Sequence, residues 1–502
     1  MLPPLLVLFL WPLVSLVVFR KLSLPLAIIV TILGGFLLLP ENTALNLPGI
    51  PSLDKRSIPA LTALILAMAF ADRATLPARP ASLFPKNPAI LFLITALVFG
   101  AVMTVLTNTD PLRYGMLSLP GLRLYDAGSA VARAILMILP LLLARRYLAA
   151  PEAQLVLLQA LCVAALGYSL LALFEVRMSP QLNNWVYGFF PHSWIQHVRG
   201  GAFRPVVFLQ HGLVLGIFLC MAILATLALV RLDRRRRGKL LLAAVWLFGT
   251  LILSRNLGAL FITLALVPVV LLLGARGQLL AAAIISGVFL AYPVARTSQA
   301  LPIAQVVQLA EEIDPDRASS FVTRLDNEEQ LLAKASERAL FGWGGWGRSR
   351  VYDAAGRDIT IADGAWVITL GVSGWTGYVA RYGLLTLPIF LLLLRRRREG
   401  YGLETSALAV LLAANLVDLV PNSANTPLTW LVAGALWGRL EWRAADNHQR
   451  APGRTGGGEP HGPPAPEGAA GAVLMMPQTP YTRQTRRIER KRPEPETEPA
   501  SR

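Results

Sequence analysis

The chain has 502 residues, of which 54% are hydrophobic and only 15% are charged, and its mean hydropathy is +0.53. Soluble globular proteins contain about 25% charged residues, so this composition excludes an ordinary soluble protein and predicts a membrane protein. The net charge of +17 does not predict a nucleic-acid partner, because the arginines cluster at the ends of apolar segments and in the C-terminal tail.

Thirteen apolar segments are candidates for membrane spans, since a helix needs about 20 apolar residues to cross the hydrocarbon layer. They lie near residues 2–19, 22–40, 58–71, 88–107, 129–147, 153–175, 210–231, 239–254, 257–274, 278–295, 379–395, 404–420 and 427–441. The sequence therefore predicts an all-α polytopic membrane domain over residues 1–442, with about 12–13 transmembrane helices.

Clusters of arginine set the expected orientation. The segments at 144–148, 233–239 and 395–399 are arginine-rich and are expected on the cytoplasmic side. Counting spans from them places the N-terminus outside and the C-terminus inside. Four stretches then face outward, at 41–57, 108–128, 176–209 and 296–365, and the last is the longest.

The tail, residues 443–502, is rich in Gly, Pro, Glu and Arg and has few large apolar residues. Such a segment cannot bury enough apolar surface to offset the entropy of ordering, so it is predicted to be disordered and cytoplasmic.

Six polar side chains lie at or near the predicted outer face of the membrane. They are Arg204, His211, Arg255, Arg324, Asp363 and Arg381. A guanidinium forms two hydrogen bonds to a phosphate at once, and a lone carboxylate among arginines suits proton abstraction. Simpler interpretations stay open: each arginine could reach a lipid headgroup, and His211 and Asp363 could serve only at helix starts.

The stretch "FGWGGWG" (341–347) and the following "DGAW" (363–366) carry three tryptophans, Trp343, Trp346 and Trp366. Flat indole rings bind sugar rings, and the glycines allow a close approach of the backbone to a ligand. An interfacial aromatic anchor is the alternative.

These motifs in their order resemble the O-antigen ligase and O-antigen polymerase superfamily of bacterial envelope glycosyltransferases. The resemblance rests on "SRNLGA" (254–259), Arg324, "ERALFGWGGWG" (337–347) and "DGAWVITLGVSGWTGYVARYGLL" (363–385). One departure is Asp363, which stands where ligases of this family usually have a histidine, and this favours a polymerase over a ligase.

The resemblance implies a fold of the GT-C-like type and a location in the bacterial inner membrane, with the long loop in the periplasm. It implies a metal-independent inverting glycosyltransferase that polymerises or ligates polysaccharide repeats without a cofactor. The donor would be an oligosaccharide on a polyprenyl pyrophosphate (undecaprenyl pyrophosphate in bacteria), and a chain-length regulator is a further partner. Asp363, Arg255 and Arg324 would be catalytic, and Arg204, His211, Arg381, Trp343, Trp346 and Trp366 would bind substrate.

Two other functions stay open at this stage. Ligation would transfer the glycan to a lipid A core or another acceptor. A flippase for lipid-linked glycans would also have many spans and buried arginines, although transporters place their sites near the bilayer midplane.

Overall fold

The computed structural model describes residues 1–46, 51–71, 82–199, 201–298 and 315–450, with isolated positions between 305 and 312. Most of the predicted tail lies outside the described residues. The last helix ends at Arg450, so the predicted boundary at 442 falls inside it.

The described residues form fifteen α-helices. They are α1 (Pro4–Lys21), α2 (Leu24–Leu38), α3 (Ser57–Ala69), α4 (Pro88–Leu106), α5 (Leu124–Tyr147), α6 (Pro151–Met178), α7 (Leu182–Tyr187), α8 (Gly212–Leu232), α9 (Arg237–Leu253), α10 (Leu257–Leu272), α11 (Ala275–Thr297), α12 (Pro315–Ser336), α13 (Ala365–Glu399), α14 (Leu403–Asp418) and α15 (Pro427–Arg450). Each of the thirteen predicted spans overlaps one of these helices.

Three short antiparallel hairpins lie in the connections between helices. They are formed by β1 (Ala44–Leu45) with β2 (Leu53–Asp54), β3 (Leu112–Tyr114) with β4 (Leu117–Leu119), and β5 (Val198–Arg199) with β6 (Ala202–Phe203). In the second hairpin the register pairs Leu112 with Leu119.

Seven helices of the described chain are long and apolar enough to cross a membrane, namely α1, α4, α5, α6, α8, α11 and α13. Three shorter apolar helices, α2, α3 and α10, accompany them. The fold is therefore that of an all-α polytopic membrane protein, and the finer count of 12–13 spans stays a prediction.

Helices α8 and α14 form the centre of the fold, because almost every side chain along both is buried. A helix that is apolar on all faces is stable only when other helices or lipid surround it. Helix α8 packs against α6, α9, α10 and α14, and α14 also packs against α11 and α15.

Helix α15 packs closely along α5 through two glycines spaced four residues apart. A Cβ atom at Gly434 would lie 2.2 Å from the Leu141 carbonyl oxygen, and one at Gly438 would lie 2.3 Å from that of Arg145. Small residues at this spacing let two membrane helices approach backbone to backbone, where dispersion contacts stabilise them.

Helix α13 is broken at Gly374, whose backbone angles are φ 63° and ψ −168°. Arg381 Nη1 lies 3.3 Å from Thr369 Oγ1, and the Tyr382 hydroxyl lies 3.1 Å from the same oxygen. In a continuous helix, residues twelve apart would be separated by about 18 Å along the axis. The two halves of α13 therefore fold back toward each other at the break.

Residues 339–344 supply hydrogen bonds to the backbone that the break exposes. Trp343 N and Gly344 N donate to the carbonyls of Gly371 and Val372, at 2.8 and 2.9 Å. In return, Trp375 N donates to Ala339 O at 2.8 Å, and Thr376 N donates to Leu340 O at 3.1 Å.

Two glycines make this pairing sterically possible. A Cβ atom at Gly342 would lie 2.6 Å from the backbone nitrogen of Gly374, and one at Gly374 would lie 2.4 Å from the carbonyl carbon of Leu340. Both have positive φ, which glycine adopts without strain. Gly342, one of the glycines that the sequence analysis assigned to ligand contact, thus contacts the broken helix.

We expect Gly374→Ala and Gly342→Ala each to destabilise the protein by at least about 2 kcal/mol, from the positive φ and the backbone clash. The measurement is the yield of monodisperse protein in detergent and its melting temperature. Gly345→Ala is the matched control, because a Cβ atom there meets nothing within 4 Å. Equal behaviour of all three variants would contradict this account of the break.

Candidate functional site

Arg324 and Asp363 form an ion pair. Arg324 Nε lies 3.5 Å from Asp363 Oδ2, and the two side chains are 46% and 41% exposed. Asp363 does not cap α13: its N-cap residue is Gly364, and no side-chain bond caps that helix. The carboxylate is therefore held by a guanidinium at the surface, where a substrate can reach it.

Glu328 lies one helical turn beyond Arg324 on α12 and is largely buried. The Tyr292 hydroxyl donates to Glu328 Oε2 at 3.3 Å, and Arg296 Nε lies 3.9 Å from the same oxygen. Burial raises the pKa of the Glu328 carboxyl above its ordinary value, while the charge of Arg296 acts in the opposite direction. A second carboxylate, with a raised pKa, thus accompanies the Arg324–Asp363 pair.

Arg204, His211 and Arg255 form a separate group at the start of α8. Arg204 Nη2 donates to the Arg255 carbonyl at 3.2 Å, and Arg255 has a positive φ of 53°. His211 is the N-cap of α8 and accepts a hydrogen bond from Leu213 N at its Nδ1. The helix-start interpretation of His211 is therefore correct, whatever else the residue does.

Buried charges hold the loop that carries this group. Glu175 Oε2 accepts from Val206 N and Val207 N at 2.8 and 2.7 Å, and the Lys55 ammonium donates to Phe208 O at 2.8 Å. Lys55 also lies 3.3 Å from Glu41. Burial is the largest cause that lowers the Lys55 pKa, to about 8. These contacts tie the predicted outer loops at 41–57 and 176–209 together.

Arg381 lies between two cavities. One, of about 350 Å³, is walled by α4, α5, residues 344–346 and the first half of α13. The other, of about 300 Å³, is walled by residues 51–57, α5 and residues 425–430. Arg133 of α5 lines both cavities as well, so two guanidiniums separate them. Arg56 lines the second, and its Nη2 donates to Gln210 Oε1 at 3.5 Å.

Arg133 and Arg381 have no acidic partner among the described residues. All four arginines of the 338–357 segment do have one. In the described part of the chain, no carboxylate lies within 4.0 Å of Arg133 or Arg381. By contrast, Arg338 pairs with Asp110 at 2.9 Å and Arg357 pairs with Asp353 at 2.8 Å. Each cavity also has one carboxylate in its lining, Asp126 in the larger and Asp54 in the smaller, but neither forms an ion pair with Arg133 or Arg381.

The three tryptophans occupy different environments. Trp346 is 70% exposed, has a positive φ of 61° and lines the larger cavity. Trp343 is buried, with Lys334 Nζ 3.7 Å from its ring centroid and its indole N–H donating to Lys334 O. Trp366 is fully buried, 5.1 Å from the ring of Tyr292. Trp346 alone of the three presents an open ring face.

Seven of the nine sequence-predicted residues thus lie in three places rather than in one contact group: the Arg324–Asp363 pair, the Arg204–Arg255–His211 group, and Arg381 with Trp346 at the cavity. The other two, Trp343 and Trp366, are buried. Sequence reasoning missed Glu328, Arg133 and Arg56. Glu328 follows Arg324 by four residues, so helical spacing was a signal for it. Arg133 stands in the apolar run of α5, where an ionisable residue is itself a functional signal.

No protein-family model and no curated protein matches the chain. The resemblance to O-antigen ligases and polymerases therefore stays a prediction from the motifs.

We expect Glu328→Gln to become increasingly stabilising, relative to the natural chain, as the pH rises from about 4.5. An acid with a raised folded-state pKa loses folding stability between its unfolded and its folded pKa, and glutamine removes that loss. The measurement is the difference in melting temperature between the two proteins from pH 4 to pH 8 in detergent. A difference that is constant or shrinks with pH would contradict the raised pKa.

Proposed function

We propose that this protein is a membrane glycosyltransferase that takes a glycan from a polyprenyl-pyrophosphate carrier and joins it to the hydroxyl of an acceptor glycan. The observation that carries the proposal is the placement of Arg133 and Arg381 between two cavities at the broken helix, with no carboxylate among the described residues paired to either. A diphosphate is the ligand that such a pair of guanidiniums binds best.

The chemistry follows from charge. The acceptor oxygen attacks the anomeric carbon of the donor while the bond from that carbon to the diphosphate oxygen breaks, and the diphosphate leaves with the electron pair. Arg133 and Arg381 stabilise the charge that develops on it. Asp363, oriented by Arg324, takes the hydroxyl proton. A single displacement inverts the anomeric centre.

The spacing of the groups supports this assignment. Asp363 precedes the first half of α13, and Thr369 lies six residues further, about 9 Å along a helix. Arg381 contacts that threonine. A sugar ring and its diphosphate can bridge such an interval. Trp346, exposed at the rim of the larger cavity, offers a flat surface for a sugar of the chain.

The reaction would take place on the outer face of the membrane, as the arginine distribution predicts, and the family resemblance implies that this is a bacterial inner membrane. The lipid bilayer and the lipid-linked oligosaccharide are then the partners, and a chain-length regulator is a further one. We favour polymerisation of repeat units over ligation, because this chain has Asp363 where ligases of the family usually have a histidine.

A flippase for lipid-linked glycans is the second candidate, and the break in α13 is the observation that favours it. Transporters build substrate sites from discontinuous helices whose half-helices end at the site. In this function Arg133 and Arg381 would hold the diphosphate during transfer across the membrane, and Asp363 would have no chemical role.

We expect Arg381→Ala and Arg133→Ala to reduce glycan transfer at least about 100-fold, the loss typical of removing a preorganised donor to an oxyanion. The lysine variants should retain part of the rate, since an ammonium keeps the charge and loses the two-bond geometry. The assay is turnover of a polyprenyl-diphosphate-linked glycan by the full-length protein in nanodiscs. Arg357→Ala, at an 81% exposed arginine, is the control; an equal loss there would reject the assignment.

We expect Asp363→Asn to reduce turnover by about 10²–10⁴-fold with donor binding preserved, as removal of a general base does. Asp326→Asn, at an exposed carboxylate on the same loop helix as Arg324, is the matched control. Unchanged turnover in Asp363→Asn would remove Asp363 from the mechanism.

The candidate functions are distinguished by the surface polysaccharide of a strain that lacks this protein and is complemented with each variant. Single repeats without a ladder indicate a polymerase. Long chains that stay on their polyprenyl carrier indicate a ligase. Lipid-linked units that accumulate on the cytoplasmic side indicate a flippase, and would overturn glycosyl transfer.

A further inference from the structure

Three of the five histidines of the chain lie together, although they come from different elements. His192 follows α7, His197 ends the 3₁₀ turn Trp194–His197, and His211 caps α8. Their ring centroids are 4.7 Å apart for His197 and His211, 5.0 Å for His192 and His211, and 5.9 Å for His192 and His197. One ring nitrogen from each lies within 4.8 Å of the other two.

The fold holds each histidine in place from outside the cluster. The Nδ1 atom of His211 accepts from Leu213 N at 3.0 Å, which assigns Nε2 as its ligand atom. The carbonyl of His197 accepts from Arg204 N at 2.8 Å. His192 is preceded by Pro191, whose carbonyl accepts from Asn42 Nδ2 at 2.6 Å. These contacts therefore orient the His211 ring and hold the backbone at His197 and beside His192 before any ligand binds.

The donor set selects a class of metal. Three imidazoles without a carboxylate suit Zn²⁺ and its neighbours among the divalent transition metals, and do not suit Mg²⁺ or Ca²⁺, which prefer oxygen. Tetrahedral Zn²⁺ with bonds of about 2.0–2.1 Å needs nitrogens about 3.3 Å apart. The three ring nitrogens lie within 4.8 Å of one another, so a metal ion would have to draw them closer, and the exposed His192 ring has the most room to move.

We propose that His192, His197 and His211 bind one divalent transition-metal ion of the Zn²⁺ type, with the fourth coordination position open to solvent or an oxygen ligand. The ion would join the 188–204 segment to the start of α8. It would thereby hold Arg204, which packs on Gly212 and bonds the Arg255 carbonyl, against that turn. The site is independent of the reaction proposed above.

The test uses the purified full-length protein in detergent, carrying an affinity tag without histidine and stripped with a chelator. Titration with Zn²⁺ by calorimetry should give one ion per chain, and Co²⁺ should give the visible absorption of a tetrahedral complex. His192→Ala should weaken binding at least about tenfold. His448→Ala, which removes a histidine of α15 instead, should bind like the natural chain.

A thermal-melting experiment distinguishes loss of metal binding from misfolding of the variant. Zn²⁺ should raise the melting temperature of the natural chain and of His448→Ala, and should leave that of His192→Ala unchanged. His192 is the variant of choice because it is exposed, whereas His197 is buried and His211 caps a helix. Binding that is absent from the natural chain, or that survives in His192→Ala at full strength, would overturn the proposal. Neither result bears on glycan transfer.

Discussion

A peptide group that leaves a helix needs another hydrogen-bond partner, and α13 meets this constraint at Gly374 by pairing with residues 339–344. The pairing requires glycine at 342 and 374, since a side chain at either would meet the opposite backbone. Arg381 and Thr369 meet because of this break, and the cavity beside them is walled partly by residues 344–346. The geometry of the candidate site therefore depends on a backbone contact between a loop and a helix.

The arginines around the site fall into two groups: those that bond to loop segments, and those that have no ion-pair partner among the described residues. Arg348 is fully buried and donates to the carbonyls of Pro120 and Asp110, both at 2.9 Å, and Arg338 bonds both oxygens of the Asp110 carboxylate. These arginines hold the loop segments to each other. Arg133 and Arg381 make no such ion pairs among the described side chains. That asymmetry separates the proposed ligand-binding arginines from the structural ones more clearly than their sequence contexts do.

Hydropathy was enough to predict the apolar helices, because a span is a local property of about 20 residues. Helices α7 and α12 were not predicted and lie in stretches that were expected to be outer loops. The glycine pair at 434 and 438 and the break at 374 were not predicted, since their role depends on which helix lies opposite. The same limit applies to the site. Arg324 and Asp363 were both identified and do meet, but Trp366 was assigned to sugar binding from its position beside Asp363, and its ring is fully buried. Sequence identifies residue types that can do chemistry, and only packing decides which side chains face a cavity.

The same backbone contacts bear on the choice between transfer and transport. Thr104 Oγ1 donates to Phe341 O at 2.6 Å and Asn108 Nδ2 donates to Gly342 O at 2.9 Å, so α4 is bonded to the segment that pairs with the broken helix. Alternating access needs one bundle to rock against another. Here α4, residues 339–344 and both halves of α13 are joined by hydrogen bonds, while Arg133 lines the cavity from α5, so an opening of this cavity would move α5 away from α13. Such a movement would separate the two arginines that are proposed to hold the diphosphate. A fixed pair of guanidiniums serves a reaction at one place better than it serves a passage through the membrane, and this favours glycosyl transfer.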